Sequence, residues 1–522
     1  MVSALAVVAL VLGNQLDPAA ATAQWSYESV LTDPSRNAQG EPQLLSAEDG
    51  SIVAIVGVTT GSPNLILARR SIDGGNTWGV ASVLSDPTVS ANDADAVRLN
   101  DGSLVVVWSQ PGSITGSREI RLRQSLDNGI SWGAPLIVSA PSFPEEQADE
   151  PEVSAMGSHG IALAYKRSHA SELGTWPVVR TAADMSHWGD LVEFTGATGQ
   201  TSDVTPTVNE SGAILVTWTS FDGSRYTKQA ALSSDRTTVL TLSSFPTIPN
   251  YPVSVTTTAS GDFVAVWSDA TSALSPNFNI ASMTIDSHHV NLNSGSCVNF
   301  SPVSPYSSPS ASPSSSPTSS PTAGCGTNAA FAFAPVIVRL NDGSLLAAWS
   351  QDTNTNGTSD IRTSRGDAEG HNWSTPVTVN TPIDTHANFN PRLAVSPDGT
   401  VMVSWTVGFS ATQAYECAVS NSGGEVWDSS FTVSSWAIGE IVNTSLTALK
   451  GSGFAFGWNE APSSGSVLSY GRIYGWTAPT PVVPETLANT GNSSSLGAGF
   501  ALAVAGIGAL GLGLSRRKKY VK

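Results

Sequence analysis

Apolar residues along the chain fall in short runs separated by clusters of Gly, Asn, Asp, Ser, Thr and Pro, and the body of the chain sustains no helical period. Such runs between turn residues predict strands. One run recurs almost unchanged: 101–110 reads DGSLVVVWSQ and 342–351 reads DGSLLAAWSQ. Its aromatic position returns as Trp108, Tyr165, Trp218, Trp267, Trp349, Trp405 and Trp458, with Val56 in the same place in the first unit. The spacings are 52, 57, 53, 49, 82, 56 and 53 residues. About fourteen residues before most of these another strand begins, usually at a proline: Pro42, Pro151, Pro335 and Pro391, with Pro206 and Pro252 close to register. Eight units with room for four short strands each predict an all-β propeller of eight blades, seven or six being compatible with the same pattern.

Two departures from the repeat carry information. Residues 25–34 (WSYESVLTDP) match 78–87 (WGVASVLSDP), the outermost strand of the first full unit, and the last unit lacks that strand. The N-terminal strand is therefore expected to complete the last blade, which removes an open edge. The 82-residue spacing locates an insertion, 301–323, almost wholly Ser, Pro and Thr and too polar to form a core. Cys297 and Cys325 flank it and are expected to pair in an exported chain, whereas Cys417 reads as a small buried residue.

After the tryptophan strand comes a third strand and then a turn, Ser71–Trp78 (SIDGGNTW) or Ser125–Trp132 (SLDNGISW), with imperfect copies ending at Trp188, Trp373 and Trp427. In these turns Asp73 and Asp127 can accept backbone N–H groups, Gly75 and Gly129 can take a positive φ, Ser71 and Ser125 open the turn, and Trp78 and Trp132 can pack between blades. The pattern resembles the Asp-box, SxDxGxTW, of the bacterial neuraminidase repeat, and residues 24–478 are similar to sialidase-like propellers. The resemblance implies that the boxes are structural and lie on the face away from any ligand.

The ends read as addresses. Residues 1–23 combine an apolar stretch with a small-residue site and are expected to be an export signal; the first cation is Arg36, so a translation start further upstream would supply the missing positive region. After a linker at 479–486 come Leu487, Ala488, Asn489, Thr490 and Gly491, then an apolar stretch at 496–514 and a basic tail at 515–522. This order resembles the cell-wall sorting signal of Gram-positive surface proteins, in the LAxTG variant associated with actinobacteria. The stretch would rise about 28 Å as a transmembrane helix, with the cations held in the cytoplasm. The implied partners are a sortase, attacking the Thr490 carbonyl, and wall peptidoglycan, to which Thr490 becomes joined. The implied location is the wall-anchored surface of the cell.

Composition narrows the function. Charged residues are 13% of the chain, and 24 cations against 42 anions give a net charge of −18, which excludes a nucleic-acid or anionic-membrane footprint. Sialidases of this repeat type use an arginine triad, a Tyr–Glu nucleophile and an Asp acid/base, the first arginine opening the first blade. Here that stretch reads Gly40, Glu41, Pro42, and the following loop, 57–64, contains no Asp. Arg98, Arg339 and Arg392, on first strands of other units, are the remaining candidates for an anion clamp and for catalysis. Acids gather near the starts of the first strands instead: Glu41, Asp93, Asp95, Asp149, Glu150 and Asp203. Loops entering inner strands converge on one face of a propeller, where these carboxylates would repel an anion and attract a cation. Trp176 is a candidate for stacking a sugar on that face. Asp352, Asn354, Asn356 and Asp360, with Gly357, spell DxNxNGxxD, which resembles the calcium loops of other propellers; its alternating oxygens suit Ca2+. Three functions stay open: a non-catalytic propeller displayed for glycan or protein binding and adhesion, a sialidase-type or other glycoside hydrolase, and a surface spacer.

Overall fold

The computed structural model describes residues 25–476, apart from 299–330 and short loop segments at 60, 62, 140, 142–143, 169–173, 195–196, 198, 236, 243–250, 271–277, 288–295, 353–357, 381–385, 410–411, 435–438 and 463–464. Residues 480–522 are a separate unit outside the described residues, as are the export signal, the sorting pentapeptide and the apolar stretch at 496–514. Among the described residues no helix is long and apolar enough to cross a membrane.

The described chain is all β, in eight antiparallel sheets. Blade 1 holds β2 (Asn37–Ser46), β3 (Ile52–Thr59), β4 (Leu65–Ser71) and β5 (Ser82–Val83); blade 2 holds β6 (Asn92–Arg98), β7 (Leu104–Pro111), β8 (Arg118–Ser125) and β9 (Leu136–Ser139). Blade 3 runs β10 (Gln147–Met156), β11 (Gly160–Ser168), β12 (Thr175–Asp184), and its outer strand is split into β13 (His187–Trp188) and β14 (Val192–Glu193), both paired with β12. Blade 4 has β15 (Gln200–Val208), β16 (Ile214–Phe221), β17 (Tyr226–Leu232) and β18 (Leu240–Thr241); blade 5 has β19 (Ser254–Thr257), β20 (Phe263–Ala270), β21 (Phe278–Ile285) and β22 (Ser296–Cys297). Blade 6 comprises β23 (Phe331–Arg339), β24 (Leu345–Asp352), β25 (Asp360–Gly366) and β26 (Val377–Thr378); blade 7 comprises β27 (Asn388–Val395), β28 (Val401–Phe409), β29 (Thr412–Ser420) and β30 (Phe431–Thr432). Blade 8 contains β31 (Gly439–Ala448), β32 (Phe454–Pro462) and β33 (Leu468–Tyr474), and its fourth strand is β1 (Ser29–Val30). The first strand of each blade lies against that of the next, and β31 lies against β2, so the ring closes at eight.

The core lies in the seams between blades. On β7, Leu104, Val106 and Trp108 pack with Val53, Ile55 and Ile66 of blade 1, while Val105 and Val107 pack with Ile161, Leu163 and Tyr165 of blade 3. Both faces of the second strand are buried, which is why it reads LVVVW and not as an alternation. The near-identical decapeptides follow from the same geometry. Ser103 N–H donates to Asp101 Oδ1 at 2.9 Å, and Ser344 N–H to Asp342 Oδ1 at 3.0 Å, closing the turn before the strand. Gly102 and Gly343 take φ of 89° and 86° there, a region that L side chains rarely enter. The Trp108 and Trp349 indoles donate to Gln110 and Gln351 at 2.9 and 2.8 Å, which accounts for the closing WSQ.

Closure is as the sequence predicts. Ser29 and Val30 pair with Gly471 and Tyr470, Leu31 N–H donates to Ser469 O at 2.8 Å, and Trp25 bridges Tyr474. Trp25 thus supplies for blade 8 the indole that Trp78 supplies for blade 1. Arg472 reaches Ser26 O as Arg69 reaches Gly79 O, and its guanidinium lies 4.6 Å from the Trp25 ring centroid. Cys297 is disulfide-bonded and Cys417 is free and buried; Cys325 lies outside the described residues, as does the Ser/Pro-rich insertion.

Candidate functional site

Among the described residues seven of the eight first strands, all but β19, carry one kink at the same height, and this kink builds the site. The ladder shifts register between Gln39 and Gln43, Asn92 and Asp95, Asp149 and Glu152, Ser202 and Thr205, Phe333 and Val336, Phe389 and Arg392, and Val442 and Ser445. The residue inside each bulge sits in the left-handed region: Gly40, Asp93, Glu150, Asp203, Ala334, Asn390 and Asn443, with φ from 50° to 66°. A β-bulge re-aims the side chains that flank it. Repeated around a ring, it sets one tier of residues at the channel mouth and another just below.

The mouth tier over blades 1–4 is polar. A cavity of about 470 Å3 is lined by Gln39, Gly40, Asn92, Asp93, Arg118 and Asp149. Its acids are compensated. Arg118 pairs with Asp149 and also donates to Ser109 Oγ at 2.6 Å, which in turn donates to Asp93 Oδ2 at 3.1 Å. Lys166 pairs with Glu150. In blade 4 the buried Lys228 ammonium donates to Thr219 Oγ1 at 2.9 Å and that hydroxyl to Asp203 Oδ2 at 2.9 Å. Burial lowers the Lys228 pKa to about 8, the Asp203 charge opposing it.

The tier below is different. Asp95 Oδ2 accepts the Val153 N–H at 2.8 Å, stitching blade 2 to blade 3, much as Ser254 Oγ accepts the Ile337 N–H at 3.1 Å between blades 5 and 6. The Glu152 carboxyl neighbours that of Asp95, whose charge disfavours ionisation of Glu152. Protein surrounding the pair raises both pKa values, that of Asp95 to about 6 and that of Glu152 well above the usual carboxylate range, and the Glu41 charge adds to both. The Glu152 side chain is exposed at the surface, and loss of solvation among the surrounding protein, with the nearby Asp95, Glu41 and Asp203 carboxyls, disfavours its charged form. Burial raises Glu41 as well, partly offset by Arg392, whose guanidinium is 3.7 Å away.

Of the six acids that the sequence singles out, all lie on the first strands of blades 1–4 and at this mouth. Their expected repulsion of anions needs refinement, because Arg118, Lys166 and Lys228 answer the rim acids and the uncompensated charge sits one tier deeper. The three arginines do not form a clamp. Arg98 and Arg339 lie at the far ends of β6 and β23, where they pair with Glu48 and Glu210 in first-to-second-strand turns, and only Arg392 reaches the channel. Trp176 is half-buried on β12 opposite Arg167. Asp352 ends β24 and Asp360 opens β25 with its Oδ1 accepting from Asn380 at 3.0 Å; Asn354, Asn356 and Gly357 lie outside the described residues. Among the described residues no three His, Cys, Asp or Glu side chains are grouped to hold a metal ion. Sequence reasoning missed Glu152, Arg118, Lys166 and Lys228; only the strand register, which places Glu152 where Asp95 stands in blade 2, would have found the first.

The Asp-boxes occupy the opposite face. Ser71 Oγ donates to Asp73, whose Oδ1 accepts the Thr77 N–H at 2.9 Å while Ser71 Oγ accepts the Gly75 N–H at 2.8 Å; Ser125, Asp127, Gly129 and Ser131 repeat this. Trp78 and Trp132 are half-buried against the seams, and their indole N–H groups have no hydrogen-bond partner among the described residues.

These features define an eight-bladed propeller with structural turns on one face and an acid-lined channel mouth on the other. No protein-family model and no curated protein matches the chain. Several solved structures are similar in fold. A protein of unknown function from Dyadobacter fermentans is 12% identical over 87% of this chain and 99% of its own, with a TM-score of 0.41. The GH93 α-L-arabinofuranosidase of Fusarium graminearum is 15% identical over 73% and 92%, with a TM-score of 0.40. The NanB sialidase of Streptococcus pneumoniae is 11% identical over 73% and 67%, with a TM-score of 0.36. Likenesses of this degree transfer no substrate or residue role.

Proposed function

We propose that this is a wall-anchored surface protein whose propeller binds a hydroxyl-rich, uncharged ligand, a glycan, at the channel mouth. The observation that carries the reading is the 470 Å3 cavity, whose lining of Gln39, Asn92, Asp93, Arg118 and Asp149 offers donors and acceptors but no apolar wall. Neutral hydroxyls suit rim acids that already have cationic partners. An anionic sugar does not suit the site, since Glu41 already faces the Arg392 guanidinium of the deeper tier and Asp149 already holds that of Arg118. A glycan array probed with the full-length protein tests this; binding confined to sialosides or to proteins would reject it. Display rests on the order of export signal, LANTG pentapeptide, apolar stretch and basic tail. Replacing Thr490 with Ala should move the protein from the wall fraction to the membrane, and unchanged wall attachment would reject the anchor.

One observation favours glycoside hydrolysis as a second reading. The Asp95–Glu152 pair holds a proton near neutral pH beneath the cavity, as a general acid must. Glycosidases set such an acid against a second carboxyl roughly 5–9.5 Å away, a role for which Glu41 and Asp203 are the candidates. Turnover of neutral aryl glycosides, lost in Glu152→Gln, would establish this reading over simple binding.

A further inference from the structure

Across the channel from the polar cavity, blades 5 and 6 present an aromatic cluster at the same end of their strands. Phe278 opens β21, Phe331 and Phe333 lie two apart on β23, and Tyr251 precedes β19. Phe278 meets Phe331 edge-on at 5.5 Å, Phe331 lies 5.2 Å from Phe333, and Phe333 lies 5.4 Å from Tyr251. The rings hold one another in place, but the cluster is not closed: Phe331 is 36% exposed and the other three are half-buried. By register Phe333 stands where Asn92 and Asp149 stand in blades 2 and 3, immediately before the left-handed bulge residue. One mouth therefore has a hydrogen-bonding half and an aromatic half at the same height.

We infer that the aromatic cluster is a second subsite, on which a pyranose ring of a neutral polysaccharide stacks while other units of the same chain hydrogen-bond to the polar half. The inference rests on the reading of the mouth as a hydroxyl-binding site and commits that site to an oligomeric ligand. A pyranose is apolar on the face that carries its C–H groups and polar around its edge. An aromatic ring covers the first, and amides and carboxylates engage the second. A closed aromatic core would have no use for an exposed Phe331 at a strand end. An apolar peptide or lipid would gain nothing from the facing rim of Asn92, Asp93, Arg118 and Asp149.

The test measures binding of neutral hexasaccharides (gluco-, xylo-, arabino- and manno-configured) and of their monosaccharides to the full-length protein. The variants are Phe331→Ala, Phe331→Trp and Asn92→Ala. For a hexasaccharide that binds, Phe331→Ala should weaken binding about 5- to 10-fold, Phe331→Trp should restore it, and the monosaccharide should be unaffected by either. Unfolding temperatures of the two Phe331 variants check that the fold is kept, and Phe331→Trp, which preserves an aromatic face, keeps the test valid if the alanine variant is destabilised. Equal hexasaccharide affinity in wild type and Phe331→Ala, with loss in Asn92→Ala, would overturn the second subsite and leave the polar mouth standing. Loss in Phe331→Ala with none in Asn92→Ala would overturn both the polar-mouth reading and the single-ligand inference. Binding of no saccharide at all would overturn both as well, and binding of an apolar peptide in their place would identify the cluster as a protein-docking patch.

Discussion

Replacing Leu31 with Ala tests whether the ring is closed by a true fourth strand. Leu31 is 1% exposed, in a seam with Leu44, Ile52 and Ile473, and it follows β1 directly. Its counterpart by sequence match is Leu84, also 1% exposed and directly after β5. The backbone contacts match as well, Leu31 N–H donating to Ser469 O and Leu84 N–H to Ile66 O, both at 2.8 Å. Leucine to alanine removes three carbons, worth about 0.8 kcal/mol each on transfer, and the incompletely collapsed cavity brings the loss to roughly 3 kcal/mol at either site. The two sites differ in one respect. Leu84 belongs to a strand continuous with its own blade, whereas β1 is tied to β33 only by contacts across the chain closure. Part of the Leu31→Ala loss should therefore appear as local opening of blade 8. Denaturant unfolding of full-length wild type, Leu31→Ala and Leu84→Ala gives the two losses, and amide exchange over Leu468–Tyr474 reports the opening. Similar losses, with faster exchange in blade 8 for Leu31→Ala alone, are the expected result. A Leu31→Ala cost below about 1 kcal/mol beside a Leu84→Ala cost near 3 would show that the N-terminal strand is not packed as a blade strand.

Because Asp95 and Glu152 have pKa values raised above those of the unfolded chain, the folded protein binds more protons than the unfolded one between about pH 4 and the raised values. Their stabilisation is thus present at low pH and lost as pH rises through 6 and beyond; Glu41, also raised, acts in the same sense, its shift partly offset by the Arg392 charge. Glu152→Gln should flatten this decline in a series of thermal scans, and parallel pH profiles for variant and wild type would refute the raised Glu152 pKa. Trp78→Ala should cost about 2–3 kcal/mol, less than the 3–5 of a fully buried tryptophan because Trp78 is half-buried, and should leave glycan binding per folded molecule unchanged. If calcium occupies the loop between Asp352 and Asp360, a hundredfold excess over its Kd adds about 2.7 kcal/mol, so EDTA should lower the unfolding temperature of wild type but not of Asp352→Ala. Scans unaffected by EDTA would remove calcium from that loop.

The fold was legible because a propeller writes its geometry into every unit. Trp108 and Trp349 recur because the seam needs a large indole at that point and Gln110 and Gln351 need to satisfy it. The closing strand was legible for the same reason, since residues 25–34 copy a strand whose environment they share. Function is the part in which the units differ, and a repeat hides it. Gln39, Asn92, Asp149, Ser202, Phe333, Phe389 and Val442 occupy one structural position, but a proline two residues on follows only Asp149, Phe333 and Phe389 and leaves the other four unmarked. The extra residue between Gln39 and Gln43 even moves blade 1 out of step with the others. The acids at the mouth could be seen as a group, but their meaning could not, because Arg118, Lys166 and Lys228 come from second and third strands that the topology alone brings to the rim. Arg98 and Arg339 fail as ligands for the converse reason. They lie on the correct strands but beyond the bulge, at the end facing the Asp-boxes, and along a strand that crosses the whole propeller a few residues decide which face a side chain serves. The bulge therefore marks where site gives way to scaffold: the residues at it and just beyond it form the two tiers of the mouth, and further along, as at Arg98 and Arg339, the side chains pair with turns on the Asp-box face.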